Sequence, residues 1–178
     1  MINYEASIHA VSAIIVLPEH HDINTNPHHA PEELYVCQRR AGPELTSHYP
    51  EWLSPFGGKI DPGEKAEYAL YRELMEELGW VPPIARHLGN FGGDYPSPNI
   101  FPTWVKHAMI GFYYCPMSWD DWRNIKTQQD GMGVFEGQRA EAHSWNSLMG
   151  MPDVTYVIIL GVYLYRQMKR VNAENNGV

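Results

Sequence analysis

The sequence predicts an α/β domain in which a mixed sheet is packed between helices. Two observations carry this: strand-like segments fall on both sides of one strong amphipathic helix in the middle of the chain, and a long apolar helix closes it. No internal repeat and no linker divides the 178 residues, 44% of them hydrophobic and 19% charged, so residues 1–178 are read as a single domain with its own core. Disorder and a fibrous architecture are excluded by the same composition.

The first strand is the β-branched run at residues 9–17, stopped by Pro18. Residues 19–33, rich in His, Asn and Pro, read as a surface insertion, and residues 34–40 as a second strand. Gly42, Pro43 and Pro50 break the following stretch into a loop that lasts to Ser54. A short strand-turn at residues 55–60 then leads through Asp61-Pro62-Gly63 into a helix over 64–78, closed by Gly79 and barred from continuing by Pro82-Pro83. Strand-like pieces follow at 84–91, 104–114 and 140–145, separated by loops at Tyr95-Pro96-Ser97-Pro98 and at 127–137. The last helix is expected over 152–170; its apolar run is well short of the roughly 20 residues that cross a bilayer, so it reads as buried, with its exposed side a candidate face for a homodimer.

Charge and cysteine content narrow the function. Twenty-one acidic against thirteen basic residues give a net charge of −8, the opposite of the footprint that holds a nucleic-acid backbone, so no extended nucleic acid is expected as partner. Cys37 and Cys115 stand in no metal-ligand spacing and are read as core thiols, which suits a reducing cytoplasm. The first residues show no basic region or cleavage pattern, and the start is read as mature. His20-His21 and His28-His29 are adjacent loop pairs without fixed ligand geometry, and no zinc is expected there.

The informative segment is 58–80. Glu73, Glu76 and Glu77 are related by i+3 and i+4 and share one helix arc, so three carboxylates are expected close together. Leu70, Leu74 and Leu78 occupy the adjoining arc as anchors, while Ala66 and Ala69 are expected to clear space beside the carboxylates. Like charges at this spacing repel, and oxygen-only ligands suit a hard divalent cation, Mg²⁺ or Mn²⁺, which reverses the repulsion and binds phosphate oxygens. Arg72 stands four residues before Glu76 and can hold it, and a freed carbonyl at Gly58 is a candidate further ligand.

Gly58-x5-Glu64-x7-Arg72-Glu73-Leu74-x-Glu76-Glu77-x-Gly79-Trp80 resembles the box of the Nudix hydrolase family at every fixed position, with Trp80 bulkier than the usual aliphatic residue. The flanking strand order and the preceding Pro55-Phe56-Gly57 are similar to the family as well. The resemblance implies an α/β/α sandwich and Mg²⁺-dependent hydrolysis of a diphosphate bond in a nucleoside diphosphate linked to another group. It implies that Glu73, Glu76 and Glu77 are metal ligands, that Glu64 supports the metal through water, and that Arg72 orients the glutamates. Some members supply the general base from a late loop, for which Glu136 and Glu141 are the candidates here.

Substrate choice lies outside the box. Pro96 falls sixteen residues after Trp80, which resembles the proline signature of ADP-ribose pyrophosphatases, although Asn99-Ile100-Phe101 replaces their usual glycine and acidic residue. ADP-ribose or a related nucleotide sugar is the expected small-molecule substrate, with nucleoside triphosphates, including oxidised ones, as the alternative. A non-catalytic nucleotide sensor and RNA decapping are the readings of other classes. Tyr95 and Pro96 are candidate substrate contacts, and Arg39 and Arg40, closing the second strand, are candidates to meet a phosphate.

Overall fold

A computed structural model describes residues 8–19, 32–40, 50–93, 108–132 and 139–175. The first strand, β1 (Ala10–Leu17), is buried at every residue, which is why its sequence is a continuous apolar run rather than an alternation. Its two faces serve two cores. Val11, Ala13, Ile15 and Leu17 pack with Leu70, Leu74 and Leu78 of α1 (Ala66–Leu78), whereas Ile14 and Val16 pack with Ile158, Val162 and Tyr165 of α4 (Tyr156–Asn175). The result is the expected sandwich, a sheet with helices on both faces. Among the described residues no helix is long and apolar enough to cross a membrane.

The leucine stripe anchors α1 as the spacing predicts, and Gly79 ends the helix in the left-handed region at φ 63°, its N–H donating to the Met75 carbonyl at 2.9 Å. Ala69 corrects the sequence reading: it is fully buried in the core beneath α1, and Ala66 packs against the same cluster, so neither clears a surface. A second correction concerns residues 127–132. They belong to α2 (Trp119–Met132), not to a loop. Ser118 starts this helix, its Oγ accepting from the Asp121 N–H at 3.0 Å and donating to the Asp121 carboxylate at 2.7 Å. Beyond Ile125 the helix carries no apolar periodicity, which is why its second half reads as a loop.

The remaining strands are β2 (Leu34–Arg39), β3 (Leu53–Ser54), β4 (Arg86–Gly93), β5 (Ala108–Pro116) and β6 (Arg139–Ser144). The expected strand at 55–60 is displaced: regular pairing occurs at β3, and Phe56 and Lys59 make only single bridges, to Ala13 and Ala10. β6 stops at Ser144 because that side chain caps the short helix α3 (Trp145–Gly150), accepting from the Ser147 N–H at 3.2 Å. α3 is a short helix not expected from the sequence, and the predicted final helix follows it as α4, beginning later and running further than expected.

One topological feature positions the site. β6 pairs with the whole of β2, while the pairs on the other side of β2 are split: β1 pairs with Leu34, Tyr35 and Val36, and β3 with Gln38 and Arg39. The first half of β1 turns instead to the segment after β3, with the Val11 N–H donating to the Gly58 carbonyl at 2.9 Å and the Ala13 N–H to Phe56 at 2.8 Å. A cleft is lined from both sides of this divergence.

Candidate active site

Gly57 and Gly58 bring the start of the box against α1. Gly57 sits at φ 127°, and a Cβ there would run into the Val11 carbonyl; a Cβ on Gly58 would run into the Glu73 carboxylate. The Gly57 N–H donates to Glu77 Oε2 at 3.0 Å, and Glu77 is only 8% exposed, so this carboxylate is drawn under the turn. Arg72 gathers the rest. Its guanidinium donates to both oxygens of Glu64 at 3.1 and 3.0 Å, to Glu73 at 2.9 Å, to Glu76 at 3.2 Å and to the Lys59 carbonyl at 3.0 Å. Glu64 is held below the usual carboxylate range by Arg72 and by the Asp61 N–H.

This arrangement corrects the picture of three glutamates pressed together. Among the described residues no three His, Cys, Asp or Glu side chains converge on a metal position as they stand, because Arg72 takes Glu73 and Glu76 while the turn takes Glu77. The Gly58 carbonyl is not freed either; it accepts from Val11 and keeps one lone pair. The donor set nevertheless fits a hard cation. Three carboxylates face one guanidinium with the fourth held under the glycine turn, all ligands are oxygens, and the missing Cβ at Gly58 leaves the Glu73 carboxylate room.

Gly57, Gly58 and Lys59 also line the cleft, which has a volume of about 440 Å³ and is bordered by Arg40, Trp52 and Tyr156. Arg40 is thus at the cleft, as a candidate phosphate contact should be. Arg39 is not. Its guanidinium donates to both oxygens of Glu141 at 2.7 and 3.1 Å, to Asp153 at 2.7 Å and to the Glu51 carbonyl at 2.7 Å. Glu141 lies on β6, in the strand expected at 140–145, and although burial pushes its carboxyl up, hydrogen bonds from Arg39 and His143 outweigh this and hold it low. An ionised carboxylate so committed is a poor proton acceptor. Tyr95, Pro96 and Glu136 lie outside the described residues, as do Phe101, Trp104 and the histidine pairs. Trp119 donates to the Pro18 carbonyl at 3.2 Å and packs against the core.

The sequence reading did not include Gln38, Trp52, Ser54, Thr155 or Tyr156 among the site residues. Gln38 had a signal, a polar residue inside an otherwise apolar strand. Thr155 and Tyr156 had none, since they reach the cleft only through the contact between the start of α4 and β3.

A family model described as NUDIX domain matches residues 18–151. The chain is 36% identical over 80 residues to an 8-oxo-dGTP diphosphatase of Haemophilus influenzae, covering 44% of this chain and 56% of that protein. It is 30% identical over 115 residues to an RNA pyrophosphohydrolase of Pectobacterium carotovorum, covering 60% of this chain and 64% of that protein, so it spans less than two thirds of either relative. In fold it is similar to the NUDIX domain of Shewanella oneidensis NrtR, solved with ADP ribose: the TM-score is 0.58 at 15% identity, over 93% of this chain and 90% of that one.

Proposed function

Since the chain belongs to the NUDIX domain family, matched over residues 18–151, we propose that it is a divalent-metal-dependent pyrophosphohydrolase acting on a nucleoside diphosphate linked to another group. The observation that carries this is the glycine turn that binds Glu77, leaves room for the Glu73 carboxylate paired with Arg72, and opens onto the cleft. Glu73, Glu76 and Glu77 would hold Mg²⁺, with Mn²⁺ as a substitute, and the Gly58 carbonyl offers a further oxygen. When bound, the ion supplies charge neutralisation for the diphosphate and lowers the pKa of water. Arg72 keeps the glutamates in register, and Glu64 fixes Arg72 through two hydrogen bonds. Arg40 and Lys59, at the cleft wall, offer positive charge to the phosphates. Retention of all four box glutamates favours catalysis over a non-catalytic sensor.

ADP-ribose or a related nucleotide sugar is the preferred substrate, supported by Tyr95-Pro96-Ser97-Pro98 and by the fold shared with a domain solved with ADP ribose. Hydrolysis of nucleoside triphosphates is the second reading, supported by the identity with an 8-oxo-dGTP diphosphatase. A panel of both classes with Mg²⁺, read by product, separates them. AMP and a sugar phosphate from ADP-ribose is the expected result, and monophosphate with pyrophosphate from triphosphates alone establishes the second. Absence of turnover on the whole panel, or undiminished turnover in excess chelator, overturns the metal-dependent reading.

A further inference from the structure

The cleft has a polar wall that diphosphate chemistry does not use. Gln38 Oε1, Ser54 Oγ and Thr155 Oγ1 belong to residues lining it, are closed to bulk solvent and have no hydrogen-bond partner among the described residues. Gln38 and Ser54 are cross-strand partners on β2 and β3, only 3% and 6% exposed. Thr155 is pinned beside them by its N–H, which donates to the Leu53 carbonyl at 2.8 Å. Folded proteins leave few buried polar atoms unsatisfied, and three grouped at the wall of one cleft point to a ligand that completes them.

The chemistry of the wall says what kind of ligand. Pro55 offers Gln38 only a carbonyl, so the amide nitrogen must face it, at 2.8 Å, and Oε1 is left as a fixed acceptor. That acceptor requires an N–H donor. The Ser54 and Thr155 hydroxyls each donate or accept, and they can turn about χ1 to meet a mixed edge. Trp52 and Tyr156 border the same cleft, and its volume of about 440 Å³ is in the range of small-ligand sites. A flat heteroaromatic ring whose edge carries an N–H or amino donor next to acceptors meets all of these conditions.

We propose that this cleft is the base subsite, and that Gln38, Ser54 and Thr155 determine which nucleobase is accepted, favouring a purine with an amino donor at the edge facing Gln38. The proposal rests on the hydrolase reading of the adjoining carboxylates, because only that reading makes the ligand a nucleotide. Binding of the four nucleoside monophosphates, of unsubstituted purine riboside monophosphate and of ribose 5-phosphate, measured by calorimetry in chelator, tests the subsite without turnover. AMP or GMP should bind at least tenfold more tightly than the unsubstituted purine nucleotide and than ribose 5-phosphate. Ser54→Ala combined with Thr155→Val, checked for folding by its melting curve, should weaken that binding at least tenfold, whereas Tyr163→Ala on the exposed side of α4 should leave it unchanged. Equal binding of ribose 5-phosphate, no binding of any nucleoside monophosphate at millimolar concentration, or wild-type affinity in the folded double variant overturns the subsite. The same outcomes leave metal-dependent turnover on the substrate panel untouched, so failure here is distinct from failure of the hydrolase reading.

Discussion

Gly57 and Gly58 are neighbours that need glycine for different reasons. At Gly57 the obstacle is backbone: φ is 127° and a Cβ meets the Val11 carbonyl, which β1 holds in place. Gly57→Ala should therefore cost stability, about 2–4 kcal/mol, measured by urea unfolding. At Gly58 the obstacle is the end of the Glu73 side chain, which can move. Gly58→Ala should keep the melting temperature within a few degrees yet lower kcat at least tenfold, because the displaced carboxylate leaves its place beside Arg72. Glu76→Gln and Glu77→Gln keep shape while removing charge, and Glu77→Gln can still accept the Gly57 N–H through its amide oxygen. Both should remain folded and lose activity by orders of magnitude in a turnover assay. The glycine pair was legible in the sequence as part of a motif; the difference between its members was not, since it depends on what stands opposite each Cα.

β2, β6 and the turn before α4 are tied at one point, the Arg39 guanidinium. Glu141 and Asp153 are both held below their ordinary values of 4.5 and 3.8 in the fold. The unfolded chain therefore takes up these protons first, so their contribution is fully present above those values and is lost as pH falls through the lowered ones. Stability should be level near neutrality and fall on acidification below about pH 4. Arg39→Met should flatten that acid limb and lower stability at neutral pH by about 1–2 kcal/mol, the exposed Asp153 arm adding little. Urea unfolding across the pH range reads both effects. The sequence placed Arg39 at a strand end and suggested a phosphate contact; it could not show Glu141, a hundred residues away, arriving opposite Cys37 on β6 with its carboxylate turned to Arg39.

For the molecule as a whole, a cation at the box is linked to folding, because the unfolded chain scatters the carboxylates that would bind it. Mg²⁺ at one hundred times its dissociation constant should stabilise the native state by about 2.7 kcal/mol. That corresponds to a rise in Tm of roughly 5–10 °C in a thermal melt, reversed by chelator, and an unchanged Tm at millimolar Mg²⁺ would count against a preformed site. By itself the sequence determined the α/β class, the helix that carries the box and the leucine stripe that seats it. These are properties of residues close together in the chain, where spacing alone decides which side chains share a helix face. The tertiary structure alone decided that Arg72 takes three glutamates while the Gly57 turn takes the fourth, that Arg40 rather than Arg39 meets the cleft, and that Gln38, Ser54 and Thr155 form one wall. Those contacts join segments far apart in the sequence, and pairing across a sheet or between a helix start and a strand leaves no periodic trace in either partner.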